Sequence, residues 1–163
     1  MNFRNATIDD LPMIVAIYNS TVHSRMVTAD TEPVSVSDKT NWFEKHHKNR
    51  PLWVVENENN IMIGWISFQN FYGRPAYNGT SEISMYLHED FRKKGCGKKM
   101  LQYVISKAES LEIHTLLGFV FEHNTNSIKM CESLGFETWG ILKDIAIMDN
   151  NHYSLKILGL KIN

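Results

Sequence analysis

The sequence predicts a mixed α/β fold in which helices cover both faces of one sheet. Segments with the two-residue period of strands and segments with helical spacing follow one another in the order β-α-α-β-β-β-α-β-α-β-β. The 163 residues show no repeat or linker, and 43% of them are hydrophobic. We therefore expect one domain, residues 1–163, with a full core that needs neither disulfides nor metal.

The first half of the chain predicts three strands and two helices. Thr7 precedes a segment whose apolar residues have helical spacing. Asp9 and Asp10 lie in its first turn, where a helix N-terminus attracts negative charge. A second helix begins at Ser35 or Ser37. The predicted segments are a strand at Asn2–Ala6, helices that carry Leu11–Val22 and Trp42–Phe43, strands at Leu52–Glu56 and Ile61–Gln69, and loops at Ser24–Pro33 and Phe71–Gly79.

The central stretch, Ser81–Leu111, predicts a strand, a basic turn and a helix whose apolar spacing begins at Lys98. Three apolar strand residues alternate with three polar ones, so one face packs and the other is free for chemistry. They are Ile83, Met85 and Leu87 on the apolar face, and Glu82, Ser84 and Tyr86 on the polar face. The elements that follow are a buried strand at His114–Phe121, a helix at Asn124–Leu134 and a hairpin of Phe136–Met148 with His152–Leu160.

The basic turn has the composition of an anion site. Gly95 and Gly97 remove side chains where amides at the start of a helix point outward. The surrounding cations are Arg92, Lys93, Lys94 and Lys98. A lone G-x-G among lysines is also compatible with a plain surface turn. No P-loop sequence is present, and a dinucleotide fingerprint would need a third glycine where Met100 stands, so neither nucleotide class fits.

Composition limits the partners and the compartment. Seventeen Lys and Arg against eighteen Asp and Glu give a formal charge of -1, which demands neither nucleic acid nor an anionic membrane. Cys96 and Cys131 are expected to be thiols, with one disulfide as the alternative and no zinc site. The N-terminus is polar, and no apolar run approaches about 18 residues. These features predict a soluble cytoplasmic protein with no metal, membrane or nucleic-acid partner.

The turn Arg92–Gly97 reads R-x-x-G-x-G, which resembles the signature of the Gcn5-related N-acetyltransferase (GNAT) superfamily. The opening segment Asn2–Asn19 and the segment Asn124–Phe136 resemble the same superfamily, so the resemblance covers nearly the whole chain. Four further segments are similar to the phosphinothricin acetyltransferase branch, namely Val27–Pro33, Trp42–Phe43, Arg74–Glu82 and Gly140–Gly159. The resemblance implies a mixed, mostly antiparallel sheet of about seven strands, splayed at strands 4 and 5, with about four helices on its two faces.

The resemblance also implies an activity and a cosubstrate. It predicts transfer of acetyl from acetyl-CoA to the amino group of a small amino acid or analogue, of the phosphinothricin or methionine sulfoximine kind, through a tetrahedral intermediate. The turn would hold the coenzyme's pyrophosphate, and a backbone amide near Met85–Leu87 would hold the acyl oxygen. The predicted coenzyme-binding residues are Met85, Tyr86, Leu87, Arg92, Lys93, Lys94, Gly95, Cys96, Gly97, Lys98, Asn124, Ser127 and Cys131. A homodimer is implied, and no metal is.

Glu82 is the predicted general base. An alkylammonium titrates near roughly 10, so a base must take its proton before attack. Within the pattern E-x-[ST]-x-Y, Glu82 matches the catalytic glutamate of the branch. The alternative is that Glu82 is a carboxylate at the rim of the site with no catalytic role. The departing thiolate can accept a proton, since its thiol has a pKa of roughly 8.5. Related enzymes carry tyrosine or histidine as the proton donor at the position that Cys131 occupies in this chain. We expect Cys131 to pack and Tyr86 to be the substitute donor, unless the thiolate leaves unprotonated.

Residues for the acceptor are also implied by the resemblance. They are Val27, Thr28, Thr31, Arg74 and Tyr77. An arginine fork binds a carboxylate with two parallel hydrogen bonds, although Arg74 is also compatible with a surface cation. The branch has arginine where this chain has Asp30, so Asp30 favours a neutral, basic or otherwise different amine over phosphinothricin itself.

Two other functions and some ordinary features complete the predictions. A peptide or protein amine is an alternative acceptor, and a non-catalytic acyl-CoA-binding module is the alternative from another class. His46–His47 is predicted to be a solvated helix end without metal-ligand spacing. Trp53, Trp65 and Trp139 are predicted to be core or interface residues.

Overall fold

A computed structural model describes residues 1–162 and contains one seven-stranded sheet, in the order β1-β2-β3-β4-β5-β7-β6. The strands are β1 (Asn2–Asn5), β2 (Leu52–Glu56), β3 (Met62–Asn70), β4 (Thr80–Leu87), β5 (Thr115–Phe121), β6 (Glu137–Met148) and β7 (Asn151–Lys161). The α-helices are α1 (Leu11–Val22), α2 (Val36–Glu44), α3 (Cys96–Ala108) and α4 (Thr125–Glu132). The predicted order of elements and the mixed fold class are confirmed; Asn163, the end of the predicted domain, lies outside the described residues.

The sheet opens between its fourth and fifth strands, as predicted. All other neighbours pair antiparallel, whereas β4 and β5 are parallel and share only three register pairs, the last being Glu82 with Leu117. Beyond that pair, β4 continues along β3 to Leu87, and β5 continues along β7 to Phe121. A gap therefore separates the two strands at the centre of the sheet.

Two apolar clusters cover the two faces of the sheet. One cluster joins α3 and α4 to the sheet, and it includes Ile66, Met100 and Leu116. The other joins α1 and α2 to the sheet, and it includes Ile14 and Trp65. Successive residues of β3, such as Trp65 and Ile66, enter opposite clusters because strand side chains alternate between faces. Among residues 1–162, no helix is long and apolar enough to cross a membrane.

Helix starts follow local capping chemistry. The Ser35 hydroxyl accepts the Asp38 amide at 3.2 Å, and the Asp38 carboxylate accepts the Ser35 amide at 2.9 Å, so α2 begins at the earlier of its two predicted starts. The apolar spacing from Lys98 placed the start of α3 too late. The helix begins at Cys96, because Gly95 adopts a left-handed φ of 78° that turns the chain into it.

One prediction about side-chain environment needs correction. His46 is not a solvated helix end: it is half-buried, its Nδ1 lies 3.2 Å from the Phe43 carbonyl, and its Nε2 lies 3.0 Å from the Ser67 hydroxyl. Burial lowers the pKa of His46, so the ring is neutral at physiological pH. Trp65 is a core residue, as predicted. Trp139 is 45% exposed on β6, so for this residue the interface alternative stays a prediction.

Candidate active site

The two faces of β4 lead to different parts of the molecule. Met85 and Leu87 pack against the cluster of α3 and α4, whereas Tyr86 packs against the cluster of α1 and α2. Tyr86 stacks on Trp65 with ring centroids 4.4 Å apart. The predicted alternation of β4 is therefore correct, and it separates the basic turn from the polar face of the strand.

A cavity of about 740 Å³ lies between the basic turn, β4 and α4. Its lining includes the predicted coenzyme residues Met85, Tyr86, Leu87, Arg92, Lys93, Gly95, Gly97, Lys98, Asn124 and Ser127, together with Val27. Lys94 and Cys96 belong to the same turn but do not line this cavity. Its charged lining residues are all cationic among the described residues, which suits an anionic ligand.

The turn is fixed to its surroundings by Arg92. The guanidinium of Arg92 donates to the Leu87 carbonyl at 3.0 Å and to the Ser20 hydroxyl at 2.9 Å. A side chain at Gly97 would meet the Met130 sulfur at 3.1 Å, so the glycine permits a close approach of α3 to α4. Arg92 thus positions the turn, and Lys93 and Lys98 are the lysines that line the cavity.

Asn124 ties the start of α4 to a distant loop. Its Oδ1 accepts the Ser127 amide at 3.3 Å, and its Nδ2 donates to the Met26 carbonyl at 3.0 Å. The side chain is buried, as expected for an amide with partners on both atoms. Asn124 thereby brings Met26 and Val27, almost a hundred residues away in the sequence, to the wall of the cavity.

A smaller cavity of about 120 Å³ lies at the gap between β4 and β5. Residues from both strands line it, including Ser84 and Tyr86 on β4 and Gly118 on β5. It shares Met85, Tyr86, Val27, Asn124, Ser127 and Met130 with the cavity of the basic turn. The gap therefore extends the basic cavity into the sheet.

On the opposite face of the sheet, a third cavity of about 210 Å³ meets the gap at Ser84 and Tyr86. We call it the acceptor cavity. Its other polar and aromatic lining residues are Tyr18, Lys39, Trp42, Trp65 and Gln69. Sequence reasoning missed Tyr18, Lys39 and Gln69, although the hairpin β3–β4 puts Gln69 directly opposite Glu82. Tyr86 lines all three cavities, so it lies where they meet.

Glu82 occupies the last position of β4 that pairs with β5, immediately before the gap. It lies on the same face as Ser84 and Tyr86, but it does not itself line any of the three cavities. Burial raises the pKa of Glu82 above its ordinary value of 4.5. A raised pKa makes the carboxylate a stronger base than a solvated one.

Tyr86 and Cys131 differ in what they can offer a leaving group. Burial raises the pKa of the Cys131 thiol to about 11, above the roughly 8.5 of an ordinary thiol, so proton transfer from Cys131 to a thiolate is unfavourable. Burial and the nearby Tyr18 and Asp30 also raise the pKa of Tyr86 above its ordinary value. Its phenol stays protonated at neutral pH and can donate a hydrogen bond.

The loop that carries Thr28 and Asp30 is held by Tyr18. The Tyr18 hydroxyl lies 2.5 Å from the Thr28 hydroxyl and donates to Asp30 Oδ2 at 2.5 Å. Burial, which is the larger cause, and the hydrogen bond to Asp30 raise the pKa of Tyr18 to about 12. Thr28 is buried beneath this contact, whereas Val27 is 39% exposed and lines two of the cavities.

The structure does not bring Arg74 and Tyr77 into these cavities. Both lie on the exposed loop between β3 and β4, where Tyr77 packs its ring 5.5 Å from that of Phe71. Thr31 is also exposed, and its carbonyl accepts from Arg25 at 2.8 Å. Contact of Arg74, Tyr77 or Thr31 with an acceptor stays a prediction.

The sequence profile of the acetyltransferase (GNAT) domain matches residues 1–137. The chain belongs to the GNAT acetyltransferase family. Its seven-stranded sheet, open between β4 and β5, has the architecture expected of that family. The protein is an acetyl-CoA-dependent N-acetyltransferase.

Three similar proteins put the acetyltransferase in context. It is 50% identical over 163 residues, and over the full length of both chains, to "Putative phosphinothricin acetyltransferase YwnH" of Bacillus subtilis strain 168. It is 29% identical to the L-methionine sulfoximine/L-methionine sulfone acetyltransferase of Pseudomonas paraeruginosa, over 88% of this chain and 84% of that one. A crystal structure of a GNAT phosphinothricin acetyltransferase from Sinorhizobium meliloti with acetyl-CoA superposes with a TM-score of 0.91 at 25% identity, covering 99% and 88% of the two chains.

Proposed function

We propose that this acetyltransferase acetylates the amino group of a small amino acid or amino acid analogue. The observation that carries the proposal is that the three cavities adjoin one another at the gap between β4 and β5, where Tyr86 lines all of them. An acyl-coenzyme in the basic cavity can reach through the gap, and an amine can approach from the acceptor cavity. The names of the relatives, which specify phosphinothricin and methionine sulfoximine or sulfone, support this class of acceptor.

The dimensions of the acceptor cavity favour a small substrate over a peptide. Its volume is about 210 Å³, and four aromatic side chains enclose it. They are Tyr18, Trp42, Trp65 and Tyr86. Such walls suit the apolar part of an amino acid side chain. A folded protein could present only a narrow N-terminal segment to a cavity of this size.

The coenzyme's pyrophosphate is proposed to bind the turn Arg92–Lys98. The N-terminus of α3 directs its free backbone amides and the positive end of its dipole at this turn. Lys93 and Lys98 add positive charge at the cavity wall. Asn124 and Ser127 are proposed to flank the coenzyme from α4, whose first turn forms the opposite wall.

The chemical steps follow from the gap. Glu82 is proposed to take the ammonium proton, directly or through water, so that the neutral amine attacks the thioester carbonyl. Backbone groups of β4 beyond Glu82 have no partner in β5, and an amide of Met85–Leu87 is proposed to donate to the oxyanion. Tyr86 would then donate a hydrogen bond to the departing thiolate without giving up its proton, because its pKa is raised. The proton that the attacking nitrogen loses as the amide forms passes to the thiolate or to water.

We also propose that the enzyme forms a homodimer through β6. This strand is an edge of the sheet, and one of its faces exposes three large apolar residues, Ile141 (49% exposed), Ile145 (58%) and Ile147 (63%). The register shift between Thr138 and Gly140 puts Trp139 (45%) on the other face, beside Gly159. An exposed apolar edge strand is a liability unless another surface covers it, and a second copy supplies an equal surface.

A substrate screen tests the proposed acceptor class. We expect acetyl-CoA-dependent thiol release with one or more free amino acids or analogues, and methionine-derived and glutamate-like analogues should be included. Free thiol is measured with a chromogenic disulfide. Higher kcat/KM with peptides than with every free amino acid would favour a peptide acceptor instead. Coenzyme binding without turnover by any amine would indicate a binding module.

Glu82→Gln should lower kcat by roughly 10²- to 10⁴-fold with little change in acetyl-CoA affinity, because a general base contributes about that much. In the wild type, kcat/KM should fall as the pH decreases through the raised pKa of Glu82, above 4.5, since only the carboxylate accepts a proton. In Glu82→Gln, kcat/KM should no longer show this fall at low pH. The exposed Glu89→Gln is the matched control; equal activity of both variants would exclude Glu82 as the base.

Gly97→Val should weaken acetyl-CoA binding by about 5- to 150-fold, as expected for about 1–3 kcal/mol of overpacking. The added methyl groups would meet the Met130 sulfur and the Leu87 side chain, whose nearest atoms lie 3.1 and 3.6 Å from a side chain's first carbon. Calorimetry measures the affinity, and the unfolding midpoint checks the fold. Lys98→Ala, which changes the cavity wall, should also weaken binding, whereas Lys99→Ala should not. Unchanged affinity in Gly97→Val and Lys98→Ala would exclude this turn as the pyrophosphate site.

Ile147→Glu should convert the dimer to a monomer, because a charge would enter the apolar face of β6. Sedimentation velocity or light scattering after size exclusion measures the mass. Ile61→Glu is the matched control, since Ile61 is 55% exposed in the turn between β2 and β3. A monomeric wild type, or a dimer that both variants leave intact, would contradict the proposed interface.

A further inference from the structure

Arg50 carries a buried positive charge without a carboxylate partner. The residue is 5% exposed, and its guanidinium donates to three backbone carbonyls, those of Asn49 at 2.6 Å, Leu111 at 3.3 Å, and Asn78. No salt bridge involves it among residues 1–162. Glu112, the acid whose charge acts on it, hydrogen-bonds instead to the Asn49 side chain at 2.6 Å. The charge is therefore only partly offset by carbonyl dipoles.

The guanidinium also has unused donors. A guanidinium has five N–H groups, and the three carbonyls take one on Nη2 and two on Nη1. Nε is buried and has no hydrogen-bond partner in the part of the chain that the structure describes. One N–H on Nη2 is thus left without an acceptor, beside the buried Nε. Carboxylate and phosphate oxygens are the strongest acceptors for such guanidinium donors.

Arg50 lines a cavity of about 390 Å³ at the end of α2, which we call the Arg50 cavity. Its polar lining residues are Lys45, His46, His47, Arg50, Gln69 and Asn70. No acidic side chain lines it among the described residues. Lys45 and His47 are exposed at its rim, whereas the neutral His46 is held by Phe43 and Ser67 and forms a wall. The cavity is therefore lined by positive charge and neutral donors.

We propose that the Arg50 cavity binds a small oxyanion, a carboxylate or phosphate group. A buried cation without a counter-ion is costly, and an oxyanion in the cavity that Arg50 lines would supply the missing negative charge. Lys45 at the rim would add a mobile ammonium, while Gln69 and Asn70 would add neutral amide donors. No residue of the Arg50 cavity lies in the basic turn, so this site is separate from the proposed pyrophosphate site.

The oxyanion has two possible sources. Trp42 and Gln69 line both the Arg50 cavity and the acceptor cavity, so the two cavities are neighbours. The oxyanion can be the far end of an elongated acceptor whose amino group lies near Tyr86, and this source rests on the proposed function. It can also be a free ion that binds whether or not the enzyme has acetyl-CoA. The chemistry at Arg50 is the same in both cases.

A titration with inorganic phosphate tests the site in the coenzyme-free protein. Two-dimensional ¹H–¹⁵N NMR spectra at constant ionic strength follow the backbone amides of residues 45–50 and 69–70 and the Arg50 Nε–H group. We expect saturable shifts with phosphate and none with chloride. Shifts that do not saturate, or that chloride reproduces, would overturn the proposal. The result does not depend on turnover, so it is distinguishable from a failure of the proposed function.

Two lysines of the same turn provide a matched pair of variants. Lys45 lines the Arg50 cavity and Lys48 does not, although both are exposed. Lys45→Ala should weaken phosphate binding about 2- to 5-fold, as expected for one exposed ion pair, and Lys48→Ala should leave it unchanged. Equal effects of the two variants would overturn the site. This pair avoids dependence on Arg50→Gln, which also removes hydrogen bonds that hold Asn78 and Leu111.

Kinetics then distinguish the two sources. Acceptors that turn over are compared in pairs that differ only in a distal carboxylate. If the acceptor supplies the oxyanion, Lys45→Ala should raise KM about 2- to 5-fold for the member with the distal carboxylate and not for its partner. If the oxyanion is a free ion, phosphate should still bind saturably to the coenzyme-free protein. Lys45→Ala should then leave the ratio of the KM values of the two paired acceptors unchanged. Whichever KM result is obtained, the absence of saturable phosphate shifts would overturn the proposal.

Discussion

The short parallel pairing of β4 with β5 is the constraint on which the rest of the site depends. Three register pairs hold the strands together and end at Glu82 and Leu117. Beyond them, each strand keeps only its outer neighbour, so backbone donors and acceptors face a gap at the centre of the sheet. Such groups are costly to leave unpaired in an interior. A coenzyme arm in the gap would supply partners for them, which couples substrate binding to completion of the sheet.

The alternation of β4 converts this gap into two compartments. Met85 and Leu87 face α3 and α4, where the basic turn and Asn124 form the larger cavity. Tyr86 faces α1 and α2, where aromatic rings form the smaller one. A strand presents successive residues to opposite faces, so a single segment can contact both substrates. Glu82 sits at the closed end of the gap, where burial raises its pKa.

Loop contacts complete the compartments from distant parts of the sequence. Asn124 binds the Met26 carbonyl, and Tyr18 holds Thr28 and Asp30, so the loop after α1 closes over the gap. Arg50 performs a comparable task beyond the acceptor cavity, where it joins the Asn78 and Leu111 segments to the end of α2. Asn124 and Arg50 are buried, and each satisfies backbone carbonyls that would otherwise lack partners. Arg50 alone retains an unused buried donor in the part of the chain that the structure describes.

The sequence by itself determined the order of elements, the two faces of β4 and the glycine turn, and it limited the cap of α2 to Ser35 or Ser37, because periodicity and capping are local properties. It missed the start of α3, which depends on the left-handed conformation of Gly95, and the burial of His46, which depends on Ser67 of β3. Only the tertiary structure decided that Tyr18, Lys39 and Gln69 share a cavity with Tyr86, and that Arg74 lies outside it. Sheet register and loop packing join residues far apart in the chain, and no local pattern encodes those contacts.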